Sequence, residues 1–557
     1  MKKFIAIATL IIVVSALTNL NAQNQQQVKN LSTLGKLWGF LKYYHPSVAK
    51  GTPDWDKELL KMIPLVKQTA SDAEFNTLIT GWYHSLPQAA LSSSITQIKA
   101  DTIVRTFDES DIARFGLPKS LQDTLMRLYL YHLPDSSKYI NNRERQYTYD
   151  HVFHNENPYN TPVFPDENHR LLSLFRYWNI IEYFYPYKKI NTHNWEMVLP
   201  DFIPRFIRAG DSTEYRKTFL ALTTQLKDSH SFFDQAHWTQ THQLTTPFDV
   251  VYIEGRYYIS ATHYDSLMHE FDLITGDEII GINNKTIAER VNELKPLTTG
   301  TNELSFNRNI AYNLVKIDTN RVMRIRIKRH GQVLEKTIRL FTWKELAAYK
   351  KNTQPLWNDM GKGVWLVRFC DITKPDTLKQ LFKDLQQAKT VIWDMRGYPS
   401  FNVVQAMGRG LFATPAITTI SYNSILEFPG ALTKRSDAPG YSAVDTLPLP
   451  LYRGNMIVLV NEQTQSLSES VAYELSFRPN TIVMGRQTAG TTGNITFVEY
   501  PGGIMASYTA VGVEGLNGRF KEGLGVKIDR EITLTAKNII DYPDYMLEMA
   551  FKEAIAN

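Results

Sequence analysis

A serine between a strand and a helix is the residue of this chain whose setting best suits catalysis. Ser466 follows the apolar run Ile457–Val460 and directly precedes a helical pattern that begins at Leu467. Free backbone N–H groups and the helix dipole at a helix start favour a developing oxyanion beside the serine hydroxyl. Ser466 and Glu469 also fit a capping box, which is a common way to begin a helix, so the pattern alone favours a structural role.

The segments around Ser466 alternate between strand and helix patterns, which is typical of an α/β domain with a parallel sheet. In such a domain the chemistry lies at the carboxyl ends of the strands, and a second strand end carries Asp394-x-Arg396. We predict an α/β core over residues 355–540, followed by a C-terminal helix in residues 541–557. Its predicted strands and helices are Val364–Phe369, Asp376–Ala388, Thr390–Asp394, Val403–Leu411, Met456–Val460, Leu467–Leu475 and Thr481–Met484.

The N-terminal part of the chain contains an internal duplication. Residues 37–46 match residues 177–186 at an offset of 140, and the same offset pairs Trp55 with Trp195. Apolar residues at helical spacing predict a small helical bundle in each copy, residues 27–95 and 171–235. The second copy ends in Asp228-Ser229-His230, whereas the aligned residues of the first are Gln, Ala and Ala. The helical fold therefore does not require Ser229 and His230.

Residues 96–170, between the copies, are rich in Asp, Asn, Tyr and Pro and have weak periodicity. We expect an irregular linking segment there. His151, His154 and His169 fit no metal-ligand spacing, so we interpret them as surface histidines and predict no metal site.

Residues 246–340 change to short alternating β runs. The run from Gly276 to Lys285 resembles the late strands of a PDZ domain, whose open edge takes up a peptide by strand addition. The alternative is a small barrel that binds no ligand.

Residues 1–22 have the pattern of a secretory signal peptide, with two lysines, an apolar run and a small residue at Ala22. The alternative, an N-terminal membrane anchor, needs about 20 apolar residues, and this run is shorter. The single cysteine, Cys370, offers neither an internal disulfide nor a lipid anchor after the leader. We predict a periplasmic or extracellular protein with no stable membrane insertion after signal removal.

The charge balance argues against a nucleic-acid partner. Lys and Arg number 61 against 56 Asp and Glu, a net charge of +5, and these residues do not form basic runs.

The order of these elements resembles the tail-specific (C-terminal processing) serine proteases, from residue 171 to residue 540. Ser466-Leu-Ser-Glu469 matches the Ser-x-Ser-Glu motif of the Ser/Lys enzymes of that family, but Thr491 stands where their lysine base should be. The chain is more similar to the tricorn core protease branch, which uses Ser, His, Ser and Glu. Its Ser-His pair matches Ser229-His230, and its Glu matches Glu522.

The resemblance implies a role for each of these residues. Ser466 would be the nucleophile, and His230 would take its proton and return it to the leaving amine. Ser229 and Glu522 would orient this relay.

The oxyanion hole implied by the resemblance combines the N–H of Leu467 with one from the loop between Arg396 and Ser400. The family usually shows two glycines where this chain has Ser400 and Phe401. A shifted turn at Gly397 would compensate for this departure.

The sequence thus predicts a multidomain α+β protein with duplicated helical bundles, a PDZ-like β domain and a C-terminal α/β protease core. Its predicted function is a serine endopeptidase without cofactors that cleaves peptides or unfolded protein tails through an acyl-enzyme. The alternative, which the Ser400-Phe401 departure allows, is a catalytically inactive peptide- or lipid-binding protein on the same scaffold.

The residue at the lysine position of the Ser/Lys enzymes provides a first prediction. Thr491→Ala should keep most of the peptidase activity, because a threonine hydroxyl is not a plausible base. Peptide turnover measured beside inactive Ser466→Ala checks this. A collapse of activity in folded Thr491→Ala would mean that the base has been misassigned.

Overall fold

The structure is a computed structural model. It describes residues 2–98, 103–132, 137–144, 149–192, 194–234, 244–260, 264–316, 321–349, 354–414, 417–436, 440 and 447–556. Residues 2–22, 143, 144, 149, 150, 233 and 234 are described by backbone alone.

Helices make up most of the N-terminal region and also pack beside the sheets of the PDZ-like region and the core. In chain order they are α1 (Lys2–Tyr44), α2 (Pro46–Ala49), α3 (Trp55–Gln68), α4 (Asp72–His84), α5 (Glu109–Ala113), α6 (Lys119–Tyr131), α7 (Glu167–Phe184), α8 (Lys188–Asn191), α9 (Trp195–Arg208), α10 (Ser212–Thr223), α11 (Asp265–Glu270), α12 (Ile287–Leu294), α13 (Glu303–Leu314), α14 (Trp343–Ala347), α15 (Thr377–Asp384), α16 (Phe401–Ala406), α17 (Gly408–Leu411), α18 (Leu467–Leu475), α19 (Ala536–Asp541) and α20 (Tyr545–Ala556). No helix in the described ranges is both long and apolar enough to cross a bilayer.

The strands form three larger sheets and two hairpins. In chain order they are β1 (Ile103–Arg105), β2 (Ile140–Glu144), β3 (Tyr149–Phe153), β4 (Phe233–Asp234), β5 (Val250–Ile253), β6 (Arg256–Ile259), β7 (Glu278–Ile282), β8 (Lys285–Thr286), β9 (Val322–Arg329), β10 (Gln332–Arg339), β11 (Trp357–Gly361), β12 (Val364–Val367), β13 (Thr390–Asp394), β14 (Thr419–Ser424), β15 (Ala431–Arg435), β16 (Asn455–Val460), β17 (Thr481–Gly485), β18 (Asn494–Tyr500), β19 (Ile504–Gly515), β20 (Phe520–Lys521), β21 (Gly525–Val526) and β22 (Arg530–Glu531).

The two N-terminal copies share a reciprocal tryptophan pair. The Trp38 indole donates to the Trp55 carbonyl at 3.0 Å, and the Trp55 indole donates back to the Trp38 carbonyl at 2.9 Å. The second copy repeats this between Trp178 and Trp195 at 2.8 and 3.2 Å. All four indoles are buried, so each pair satisfies its own two indole donors while removing large apolar rings from water.

Equivalent caps also begin the last helix of each copy. Ser71 accepts a hydrogen bond from the Glu74 N–H at the start of α4, and Asp211 accepts one from the Glu214 N–H at the start of α10. Both glutamates reach back to a backbone N–H before the cap at 2.8 Å. Such reciprocal pairing satisfies donors that a helix start leaves free.

The copies pack face to face through α1 and α7. Gly35 lies against Phe175 and Gly39 against Asn179, so positions 140 residues apart meet each other, as around a pseudo-twofold axis. A Cβ on Gly39 would lie 1.8 Å from Asn179 Oδ1. Glycines on α1 therefore make room for larger residues on α7, and the duplicated helices can pack closely.

Residues 96–170 are more regular than an irregular linking segment. They contain α6, the β2–β3 hairpin and β1, which pairs antiparallel with β15. Leu121, Leu125 and Leu128 of α6 are buried at helical spacing, a periodicity that the polar residues between them obscure.

One of the three histidines in this segment was misassigned to the surface. His154 is exposed and His169 is partly exposed, but His151 is buried, with its Nε2 2.6 Å from the Tyr508 hydroxyl. The reason is tertiary packing, because β3 lies against β18 and β19.

The sheet of the PDZ-like region has the order β10-β9-β7-β6-β5, with β8 beside β7. Strand β5 lies at its edge and packs against helix α13. A groove therefore lies beside an edge strand, as strand addition requires.

The core sheet has the order β11-β12-β13-β16-β17-β22, in which all pairs after β11–β12 are parallel. Asp394, at the end of β13, pairs with Leu459 near the end of β16. The two predicted strand ends are thus neighbours at one edge of the sheet. Strand β13 has the predicted bounds Thr390–Asp394, and helix α18 has the predicted bounds Leu467–Leu475.

A further antiparallel sheet joins distant parts of the chain. Its order is β1-β15-β14-β19-β18, and β4 pairs with β19. Since β4 begins three residues after His230, this pairing fixes the histidine loop to the long strand β19.

The reciprocal pairs generate a prediction for stability. Trp38→Ala and Trp178→Ala should each lower the free energy of unfolding by about 3–5 kcal/mol, because each leaves a cavity in a packed core. Thermal unfolding of both variants checks this, with Trp343→Ala, which removes a side chain that is 51% exposed, as the control. A normal melting temperature combined with weaker peptide binding in Trp38→Ala would overturn the structural role.

Candidate active site

Ser466 has an uncommon backbone conformation directly before α18. Its φ is 58° and its ψ is −117°, a region that non-glycine residues rarely adopt. Its N–H donates to Glu469 Oε2 at 3.0 Å and to the Thr491 carbonyl at 3.1 Å. Such strain persists only where neighbouring contacts impose it, and it clusters at functional sites.

Glu469 connects Ser466 to the segment Thr488–Thr492. Its buried carboxylate also accepts hydrogen bonds from Thr488 Oγ1 at 2.5 Å, the Gly490 N–H at 2.7 Å and the Thr491 N–H at 3.0 Å. Burial raises the pKa of Glu469 to about 7, while these donors favour its ionised form. The predicted capping residue thus also positions the candidate nucleophile.

The Asp228–His230 loop is held against β19. Asp228 Oδ1 accepts from the His230 N–H at 2.8 Å, and Oδ2 accepts from the Thr509 N–H at 3.3 Å. Nδ1 of the His230 ring lies 3.0 Å from Thr509 Oγ1. Burial lowers the pKa of His230, and the charge of Asp228 opposes this shift. This shift favours the neutral imidazole, which is the form that a general base needs.

Ser229 is linked to the same segment through hydroxyl groups. Its Oγ accepts from the Thr301 N–H and hydroxyl, both at 3.1 Å. Thr301 Oγ1 is also 2.6 Å from Thr491 Oγ1. Thr301 thus joins Ser229 to Thr491, the threonine at the lysine position of the Ser/Lys enzymes, whose carbonyl binds the Ser466 N–H.

Glu522 binds the next residue of this segment. Its Oε2 accepts from the Thr492 N–H at 2.8 Å and from Thr492 Oγ1 at 3.0 Å, and its Oε1 accepts from Asn191 at 2.8 Å. Among the described residues, these are its hydrogen-bond partners, and neither Ser229 nor His230 is one of them. Burial raises the pKa of Glu522 well above its usual range, and the nearby charge of Asp228 adds to this shift.

The loop after β13 lies against the start of α18. The Met395 carbonyl accepts from Ser468 Oγ and Thr464 Oγ1, both at 2.9 Å, and Leu467 is the first residue of the helix. Arg396 is fixed by ion pairs with Asp394 and Asp544, both at 2.7 Å.

The two loop residues suggested for the oxyanion hole are Gly397 and Ser400. A Cβ on Gly397 would lie 2.9 Å from the Cβ of Cys370, so the loop passes too close for a side chain. Ser400 directly precedes α16. Burial raises the pKa of the Cys370 thiol to about 12, which suits a packing residue rather than a nucleophile.

A cavity of about 710 Å³ lies between the PDZ-like region and the core. Strand β5, helix α13 and residues 461–463 line it. Arg308 of α13 donates to the Glu462 carbonyl at 2.6 Å and to Gln465 Oε1 at 2.7 Å. The groove therefore contacts the loop that leads to Ser466.

Sequence reasoning missed Thr301, Thr509 and Asn191. Their partners come from segments far apart in the chain, and an isolated Thr or Asn carries no local signal of such a role. Within the described ranges, His, Cys, Asp and Glu side chains form no cluster suited to a metal ion.

The donors around Glu469 lead to a prediction. In Glu469→Gln the single amide oxygen cannot serve four donors, and each buried donor left unpaired costs about 1–3 kcal/mol. We expect a lower melting temperature and loss of Ser466 labelling by a fluorophosphonate. Glu499→Gln, which changes an exposed carboxylate on β18, is the control. Normal melting and labelling of Glu469→Gln would contradict the positioning role.

Comparison with known proteins assigns two of these regions. Residues 364–532 match the model of peptidase family S41, and residues 242–344 match a PDZ domain model. The curated proteins searched contain no match to this chain.

Several solved structures align with this chain at low identity. Mature CPAF and its complex with lactacystin both align with a TM-score of 0.54 and 13% identity, over 70% of this chain and 97% and 98% of theirs. The photosystem II D1 C-terminal processing protease aligns with a TM-score of 0.39 and 14% identity, over 65% of this chain and 92% of its own. The alignment with CPAF and the two domain matches confirm the multidomain α+β fold with a C-terminal protease core. The two domain-model matches identify the chain as a serine-type peptidase with an S41 peptidase domain and a PDZ domain.

Proposed function

We propose that this peptidase is a secreted or periplasmic endopeptidase that cleaves peptides or protein tails through an acyl-enzyme. Ser466 is the nucleophile, His230 is the base, and Ser229 and Glu522 orient the site. The observation that carries this proposal is the convergence of three of these residues on Thr491 and Thr492. Ser466 binds the Thr491 carbonyl, Ser229 reaches Thr491 through Thr301, and Glu522 binds Thr492.

The reaction begins when neutral His230 accepts the proton of the Ser466 hydroxyl as Oγ attacks the substrate carbonyl. The tetrahedral oxyanion takes a hydrogen bond from the Leu467 N–H, at the positive end of α18, and a second from the Arg396–Ser400 loop. His230 then gives its proton to the leaving amine. In the second half, His230 takes a proton from water as the water oxygen attacks the ester carbonyl, and returns that proton to Ser466 Oγ as the acyl group is released.

The groove between β5 and α13 is the proposed site for the substrate chain. An extended peptide would add to the open edge of β5, where main-chain hydrogen bonds accept many sequences. Since Arg308 joins this groove to the loop before Ser466, a bound tail would be directed towards the nucleophile.

The proposed location rests on residues 1–22. Their two lysines, apolar run and small residue at position 22 fit an export signal. N-terminal sequencing of the protein from cell fractions tests this, and a mature protein that retains its first residues would contradict it.

The alternative function is a peptide- or lipid-binding protein without catalysis, favoured by Ser400 and Phe401 in place of two glycines. A fluorophosphonate probe separates the two functions. Labelling of the wild type but not of Ser466→Ala supports the peptidase mechanism. Absence of labelling under all conditions, with peptide binding retained, supports the binding protein.

A prediction about the relay follows. Ser466→Ala and His230→Ala should each reduce turnover of a peptide by about 10⁴-fold or more, and the double variant should be little worse, because members of one relay are not additive. Steady-state kinetics on a substrate selected from a peptide library checks this. Losses that multiply in the double variant would show that the two residues act independently.

A further inference from the structure

We propose that Thr509 is the positioning residue of His230, in the place that a carboxylate occupies in many serine peptidases. This inference rests on the proposed role of His230 as the base. Resemblance implied that Ser229 and Glu522 orient the histidine, but the hydrogen bonds of the structure favour a different side chain.

The contact to the ring is direct. Thr509 Oγ1 lies 3.0 Å from His230 Nδ1, and both residues are buried. An acceptor at Nδ1 keeps the proton on that nitrogen and leaves Nε2 with its lone pair, which is the tautomer that a base towards a serine hydroxyl needs.

The strand that carries Thr509 is fixed to the backbone of the histidine by hydrogen bonds. Asp228 holds the His230 N–H through one oxygen and the Thr509 N–H through the other. The neighbouring Ser507 hydroxyl donates to the His230 carbonyl at 2.7 Å. These contacts set the distance between the threonine hydroxyl and the ring independently of substrate.

Two different residues therefore supply the hydrogen bond to the His230 ring and the negative charge near it. Thr509 provides the hydrogen bond at Nδ1, and Asp228 provides a nearby negative charge for the imidazolium that forms when Ser466 loses its proton. The Glu522 carboxylate accepts hydrogen bonds from Asn191 and Thr492. It would position the segment that holds Ser466 rather than the ring.

The test compares Thr509→Val with Thr509→Ser. Valine keeps the shape and β-branching but removes the hydroxyl, so we expect kcat for a peptide to fall about 10- to 100-fold with KM nearly unchanged. Serine keeps the hydroxyl and should restore kcat to within about threefold of wild type. Thr496→Val is the matched control, because Thr496 is a buried threonine of the adjacent strand whose hydroxyl donates to the His151 carbonyl at 3.0 Å. Its kcat should equal that of wild type.

Two results would overturn the inference. One is wild-type kcat in Thr509→Val, and the other is an equal loss in Thr509→Val and Thr509→Ser when thermal unfolding shows both to be folded. If Thr509→Val does not fold, Thr509→Ala replaces it in the same comparison.

Ser466→Ala and His230→Ala are measured alongside. Activity that survives in those two variants would refute the proposed mechanism itself, whereas their inactivity beside a fully active Thr509→Val would refute the role of Thr509 alone.

Discussion

The buried carboxylate of Glu469 is the contact on which the geometry of the site depends. It accepts hydrogen bonds from Ser466 at one side and from three donors of the Thr488–Thr491 segment at the other. Moving a carboxylate out of water is costly, and hydrogen bonds from several fixed donors offset that cost. The same donors would lose their acceptor if the segment moved, so the strained conformation of Ser466 and the position of Thr491 are stabilised together.

The segment Thr488–Thr492 is contacted by residues from distant parts of the chain. Thr491 forms a hydrogen bond with Thr301, just before the groove helix α13, and the Thr492 N–H donates to Glu522. Asn191, from the second helical copy, holds the other oxygen of Glu522. The duplicated bundle therefore has two different tasks. The second copy provides site residues, while the first packs against it through the glycines of α1 and carries no equivalent of the Ser229–His230 loop.

Sequence reasoning succeeded where the signal was local. The bounds of β13 and α18 followed from an apolar run and from helical periodicity after a cap, and the duplication followed from repeated tryptophans. It failed for the antiparallel sheet that contains β14 and β19, because the pairing partners of these strands lie far away in the chain. His151 looked like a surface residue for the same reason, since only the packing of β3 against β19 buries it. The resemblance identified Ser466, Ser229, His230 and Glu522 as candidates, and their roles remain predictions. The hydroxyls that contact them could not be chosen from 49 threonines and 29 serines without the fold.

The balance of charge around His230 explains why a threonine suits the position next to its ring. Asp228 and Glu522 are both buried, and their mutual repulsion, added to burial, raises the pKa of Glu522. A third carboxylate at the position of Thr509 would increase this repulsion and the cost of desolvation. A neutral hydroxyl fixes the ring through a hydrogen bond without adding charge, and Asp228 lies near enough to stabilise the imidazolium when it forms.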